Sequence, residues 1–244
     1  LPFYDIAKKM LGATPAKKLG ATDNILKDSI DGMYKDNQFQ HVDVGIFFGE
    51  QNKEVSDPYF NGKGPNRSGC TLCSGCMVGC RHNAKNTLDK NYLYLARGLG
   101  ATILPENEVL NIEQTDFGYK LTLKKSTGII RKYSYRTSKN VILSGGVMGS
   151  VKLLLKCKKI GSLPNISNML GDFVRTNSES ILGVKLKNYP DQDFTDGISI
   201  SASAKIDSNT HVEMVRFGKG QNSLSILTTI LGKRINNKYG IIYF

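Results

Sequence analysis

The sequence contains no tryptophan, only three histidines and no long hydrophobic run. Without tryptophan, and with aromatic residues at 9%, it offers little on which nucleic-acid bases could stack. The longest apolar candidate, 141–155, is interrupted by glycine, serine and lysine, so it falls short of the roughly 20 apolar residues that a membrane helix needs. We therefore expect neither a nucleic-acid partner nor a transmembrane segment.

The overall composition is that of a globular protein, with 40% hydrophobic and 22% charged residues. The net charge of +12 is compatible with a polyanionic partner, but the lysines are scattered in short groups, which favours an ordinary solvated surface. Five cysteines, an odd number, and no visible secretory segment favour a reducing compartment, and we expect a cytoplasmic location. Because the chain begins at Leu1 rather than methionine, a targeting segment upstream stays compatible with the sequence.

Four of the cysteines follow one another closely in the order C-x2-C-x2-C-x3-C. This spacing is typical of thiolates that hold an iron–sulfur cluster, so it predicts a metal site formed by Cys70, Cys73, Cys76 and Cys80. Arg81 stands where ferredoxins have proline, and zinc sites normally separate two cysteine pairs by a longer spacer. A metal-free loop with redox-reactive thiols is the alternative.

Apolar periodicity predicts a mixed α/β chain. A helical pattern surrounds 25–33, and a second places Leu88, Tyr92, Leu95 and Leu99 on one face of a helix over 83–99 that ends near Gly98 and Gly100. Residues 57–81 form a long irregular loop. The remaining predictions are strands at 42–48, 101–104, 108–112, 119–123 and 129–135, turns at 116–118 and 126–128, and a helix at 222–231.

A glycine-rich turn follows a short apolar segment, 140–144, that predicts a buried strand. Gly145, Gly146 and Gly149 then open a helix over 150–159, an order typical of half a dinucleotide-binding unit. Ser144 occupies the position of the first glycine in G-x-G-x-x-G, so that fingerprint is not met. Tight packing between strand and helix is the alternative explanation for the glycines.

One carboxylate is a candidate general base. A strand over 211–217 would place His211, Glu213, Val215 and Phe217 on one face. Sharing that face with apolar side chains would desolvate Glu213 and make it a better proton acceptor. The alternative is an exposed glutamate paired with Arg216 or a neighbouring lysine.

Several ordered blocks between about residues 57 and 217 resemble the glucose–methanol–choline (GMC) oxidoreductases, a family of flavoenzymes, and in particular its cholesterol-oxidase-like members. The cysteine loop resembles a bacterial branch of those members. The blocks are KNTLDKNYL at 85–93, TILPENEV at 102–109, GYKLTL at 118–123, VILSGGVMGS at 141–150 with Leu153 and Leu154, GSLP at 161–164, and Asn177.

The resemblance implies an FAD-binding, Rossmann-like domain interleaved with a sheet-based substrate domain. It divides the chain into a substrate-domain segment with the cysteine loop at 1–82, an FAD-domain segment at 83–175 and a second substrate-domain segment at 176–244. Val109 and the turn from Ser144 through Gly145 and Gly146 to Gly149 would contact FAD. Glu213 would be the base, and Asn177 would lie near the flavin ring.

The reaction implied is oxidation of a secondary alcohol, sterol-like in steroid metabolism, by hydride transfer to flavin, with O2 or another acceptor reoxidising it. The family's G-x-G-x-x-G unit and its His–Asn catalytic pair have no counterpart here. We therefore expect the chain to be an internal part of a longer enzyme and to be inactive alone. An iron–sulfur electron-transfer module using Cys70–Cys80 is the alternative function.

Overall fold

The computed structural model describes residues 2–33, 38–175, 179–183 and 193–221. It confirms a mixed α/β chain. The described residues divide into two compact units, one within Leu1–Ala101 and Ser180–Phe244 and the other within Thr102–Glu179. Which unit belongs to a substrate domain and which to an FAD domain stays a prediction.

The helices are α1 (Pro2–Leu11), α2 (Ala21–Met33), α3 (Tyr92–Gly98) and α4 (Gly146–Lys159), with a 3₁₀ turn at Leu88–Lys90 before α3. The strands are β1 (Thr14–Pro15), β2 (Phe39–His41), β3 (Asp43–Val44), β4 (Glu54–Val55), β5 (Arg67–Ser68), β6 (Asn107–Thr115), β7 (Gly118–Lys125), β8 (Tyr133–Ser138), β9 (Ala202–Lys205) and β10 (His211–Glu213). No helix among the described residues is both long and apolar enough to cross a membrane.

The first unit contains a three-stranded antiparallel sheet in the order β10-β9-β2, and two strand pairs, β1 with β3 and β4 with β5. Helix α2 packs on this sheet because its apolar positions recur at helical spacing. Leu26 and Ile30 are buried against Ala204 of β9, with Met214 packed at the edge of this cluster. The predicted helix around 25–33 is therefore confirmed, and it covers one face of the sheet.

The second unit is an antiparallel meander, β6-β7-β8, with α4 against β6. The predicted turns at 116–118 and 126–128 are confirmed, since Gly118 and Gly128 have φ of 134° and 90°, values that favour glycine. Its core contains Ile112, Leu123 and the fully buried Cys157. The Ile112 N–H donates to the Cys157 sulfur at 3.4 Å, which fixes α4 on the strand.

Several predicted strands differ from the structure. The strand predicted at 129–135 begins only at Tyr133 and ends at Ser138. Residues 140–144 and 101–104 are not strands, and Ile142 is 89% exposed, because no strand in the described part of the chain lies beside them. The predicted strand 42–48 is reduced to β3 and a single bridge at Ile46. The helix predicted for 222–231 lies outside the described residues.

The helix predicted over 83–99 is also shorter than expected, since α3 begins only at Tyr92. Asn91 interrupts the helix with φ −129° and ψ −99°, and its side chain accepts the Tyr92 N–H. Asn83, where the predicted helix would begin, is not helical. Its side-chain Oδ1 accepts a hydrogen bond from the Arg67 Nη1 at 3.0 Å. The end is as predicted, because Gly100 has φ 95° and its N–H bonds to the Arg97 carbonyl.

Candidate functional site

The cysteine loop is attached to two neighbouring segments of the first unit by backbone hydrogen bonds. The Cys70 N–H donates to the Phe47 carbonyl at 3.0 Å. Further along, the Ser74 N–H donates to the Gly197 carbonyl and the Gly197 N–H donates to Leu72, at 3.0 and 2.9 Å. The loop is irregular in secondary structure but its course is fixed by these contacts.

All four thiols of the loop line one cleft, together with His82 and Lys85. Cys70, Cys76 and Cys80 are half-buried against a small apolar cluster that includes Ile46 and Ile198, whereas Cys73 is exposed. Within residues 2–33, 38–175, 179–183 and 193–221, no group of three or more His, Cys, Asp or Glu side chains is placed to hold a metal ion. The arrangement of the described thiols thus differs from the one that the spacing predicts. The Cys70 sulfur accepts the Leu72 N–H at 3.4 Å, and the Cys80 sulfur accepts the Ala84 N–H at 3.3 Å.

Cys70 and Cys80 differ in their acidity. Burial raises the pKa of Cys70, and the Leu72 N–H only partly offsets it. Burial also opposes ionisation of Cys80, but backbone N–H groups of Lys85, Ala84 and His82, with the Lys90 ammonium nearby, outweigh it and lower the pKa of that thiol. Cys80 is therefore the better nucleophile of the two.

We expect iodoacetamide to alkylate Cys80 before Cys70 in the folded protein, with the rate ratio widening as the pH is lowered from about 9 to about 7. The ratio widens because the thiol with the raised pKa loses its thiolate first as protons are added. Peptide mass spectrometry at timed intervals measures both sites, and the fully buried Cys157 is the unreactive control. Faster labelling of Cys70 would contradict this assignment.

A hydrogen-bond network centred on Arg67 joins the start of the cysteine loop to the segment that follows it. Arg67, only 1% exposed, donates from Nη1 to the Asn83 Oδ1 at 3.0 Å and from Nη2 to the Asn86 Oδ1. The Asn86 Nδ2 in turn donates to the Leu11 carbonyl, so the segment after the cysteines is tied to α1.

Glu213 is the last residue of β10, opposite Ser203 on β9. The strand predicted over 211–217 is shorter, since β10 ends at Glu213 and its three residues are all exposed. Beyond it, Val215 and Phe217 are exposed, whereas Arg216 is buried and Met214 is partly buried. The expected desolvation of Glu213 is therefore wrong for the described residues, since its side chain remains 35% exposed. The His211 Nε2 lies 3.9 Å from the Glu213 Oε1.

Arg216, which the sequence suggested as a partner of Glu213, instead forms a buried ion pair with Asp23 of α2. Both side chains are almost inaccessible, 2% and 0% exposed. Sequence reasoning missed this pair, and the alternation that placed Glu213 on one face is the signal that could have placed Arg216 on the other.

The glycine turn opens α4 in the second unit. Gly145 is the residue before the helix, Gly146 has φ 74°, and no side chain caps this end. A Cβ on Gly146 or Gly149 would meet no atom within 4 Å. Tight packing between a strand and the helix, the alternative considered for these glycines, therefore does not explain them among the described residues.

Val109 and Asn177 complete the predicted site residues. Val109 lies on β6, which is the edge strand of its sheet, beside a shift in the register between Val109 and Asn111. Asn177 lies outside the described residues. Ser144, just before the glycines, is exposed and in no regular element.

Comparison with curated proteins shows what the chain is related to. It is 41% identical over 242 residues to a protein of Acinetobacter baumannii, and 40% identical over 239 residues to one of Mycobacterium tuberculosis, covering 94% and 95% of this chain. Both of these proteins are named cholesterol oxidase. The chain is a relative of cholesterol oxidases. It spans 43% and 41% of their lengths, less than half of either relative. No protein-family model matches the chain.

Proposed function

We propose that this chain is part of an FAD-dependent alcohol oxidoreductase of the GMC family, acting on a secondary, sterol-like alcohol and passing electrons to O2 or another acceptor. The observation that carries the proposal is identity of about 40% to proteins named cholesterol oxidase along nearly the whole chain. Similarity sustained over 94–95% of the chain is more specific than any single motif in it.

The start of α4 suits a phosphate group of the cofactor. Helix N-termini present unpaired backbone N–H groups and a partial positive charge. Here the first turn carries no acidic side chain, and the space beside Gly146 and Gly149 is open. A pyrophosphate could thus approach the backbone closely, as the resemblance implies for this turn.

Three other residues would contact the FAD or accept the substrate's proton. Val109, on an edge strand, would present its backbone to the adenine portion, and Asn177 would lie near the flavin ring. FAD, when bound, supplies the acceptor for the hydride from the carbinol carbon. Glu213 would accept the hydroxyl proton on a carboxylate oxygen.

Gly149→Ala in the complete protein is expected to reduce FAD retention without weakening the fold. An alanine is favoured over glycine inside a helix by about 1 kcal/mol, and its methyl group would meet open space, so stability should be unchanged or higher. The same methyl group would stand where the phosphate approaches. Flavin absorbance per mole of protein after gel filtration measures retention.

The matched control is Gly32→Ala in α2, where a Cβ also meets no atom within 4 Å. This variant should keep its flavin. Equal flavin content in the Gly149→Ala variant and the wild type would contradict the assignment of this turn to FAD.

A further inference from the structure

The guanidinium of Arg216 occupies a closed polar site in the first unit. Its Nε donates to the Thr22 Oγ1 at 3.0 Å, and its Nη1 donates to the Asp196 carbonyl at 3.2 Å. Its Nη2 donates to the Ser201 Oγ at 2.9 Å and to the Asp23 carboxylate. All three nitrogens are therefore engaged, which fixes the plane of the group as well as its position.

Further hydrogen bonds and two nearby glycines accommodate the Asp23–Arg216 ion pair. The Asp23 Oδ2 also accepts the Ser201 hydroxyl at 2.6 Å and the Gly20 N–H at 2.7 Å. A Cβ on either Gly20 or Gly197 would collide with the Arg216 Nη1. Because neither glycine has a Cβ, there is room for the guanidinium, and its hydrogen bonds hold it in one orientation.

The polar site around the Arg216 guanidinium holds the backbone on the C-terminal side of Glu213 in place. Glu213 itself is paired with Ser203, and the Arg216 N–H donates to the Ser199 carbonyl at 2.9 Å. Between them, Met214 packs against the buried cluster of Leu26 and Ile30. Met214 and Arg216 follow directly on β10, so their contacts restrict the backbone that carries the exposed Glu213 side chain.

We propose that the Asp23–Arg216 pair is a positioning device for the Glu213 carboxylate, and this proposal rests on the role of Glu213 in the proposed function. The exposed carboxylate stands three residues before Arg216, and the pair acts on it through the backbone, which the Arg216 N–H fixes on the Ser199 carbonyl. Small displacements of a reacting group are costly, since a shift of about 1 Å can reduce a rate by about 100-fold.

The test is a double-mutant cycle between Arg216→Lys and Glu213→Gln in the complete protein, with flavin reduction by a 3β-hydroxysterol as the readout. Lysine keeps the charge but cannot contact Thr22, Asp196 and Asp23 together. We expect Arg216→Lys to lower kcat by about tenfold or more while KM changes by less than about twofold. In the Glu213→Gln background the same substitution should change kcat by less than about twofold.

Arg67→Lys is the control, because Arg67 is equally buried in the same unit but contacts Asn83 and Asn86. Any loss of kcat caused by Arg67→Lys should be the same in the wild-type and the Glu213→Gln backgrounds. If Arg216→Lys does not fold, Thr22→Val removes only the Nε acceptor, and its smaller loss of kcat should also vanish in the Glu213→Gln background.

Two results would overturn the proposal, and they are distinct from failure of the proposed function. An equal loss of kcat from Arg216→Lys, or from Thr22→Val, in both backgrounds would leave the pair a purely structural role. Unchanged kcat in the single variant would remove any role in turnover. If Glu213→Gln alone leaves turnover unchanged, the role of Glu213 as base fails, and the positioning role fails with it.

Discussion

Asp23→Ala is expected to lower the free energy of unfolding by about 3–5 kcal/mol. The substitution leaves the guanidinium of Arg216 buried without its counter-charge, and the Ser201 hydroxyl and Gly20 N–H lose their common acceptor. An unpaired buried charge lowers the free energy of unfolding by far more than the intact ion pair raises it, because little water reaches the charge. Denaturant unfolding of the variant and the wild type measures the difference.

The matched substitution is Asp43→Ala, which removes an ion pair of 3.0 Å with Lys8 at the surface. Both of those side chains are well solvated, so we expect a change of less than about 1 kcal/mol. Similar effects of Asp23→Ala and Asp43→Ala would contradict the buried, coupled character of the Asp23–Arg216 pair.

Glu213→Gln in the complete protein is expected to lower turnover of the alcohol by about 10²- to 10⁴-fold, the range typical of removing a general base. Glutamine keeps the size and hydrogen-bonding shape of the side chain but cannot take up the hydroxyl proton. Flavin content should be unaffected, since the predicted FAD contacts are on other residues. Steady-state kinetics together with the flavin spectrum measure both quantities.

Glu113→Gln on β6 is the control for the loss of one exposed strand carboxylate, and its turnover should equal that of the wild type. Turnover of the Glu213→Gln variant within about twofold of the wild type would remove the proposed base.

Elements that depend on nearby residues were predictable from the sequence. The apolar spacing of Leu26 and Ile30 identified α2, and the glycines at 118 and 128 marked the turns of the meander. In each case the decisive interactions lie within one helix or one hairpin. The same reasoning placed the helix that follows the glycine turn, although α4 begins earlier, at Gly146.

Elements that depend on distant partners were not predictable. The apolar segment 141–144 has strand composition but no neighbouring strand among the described residues, and a strand forms only where its backbone groups are paired. The strand predicted around Glu213 was too long, since β10 ends at that residue. The burial of Arg216 beyond it depends on Asp23 of α2, 193 positions away. For the cysteines, the spacing identified the four thiols, but the course of the loop depends on Phe47 and Gly197, which are distant in the sequence.

The most direct test of the central claim is the absorption spectrum of the complete protein, before and after a 3β-hydroxysterol is added without oxygen. The account predicts the two-banded spectrum of bound flavin, bleached by the alcohol as the cofactor takes up the hydride. A protein without flavin absorption, or one whose flavin no secondary alcohol bleaches, would contradict it.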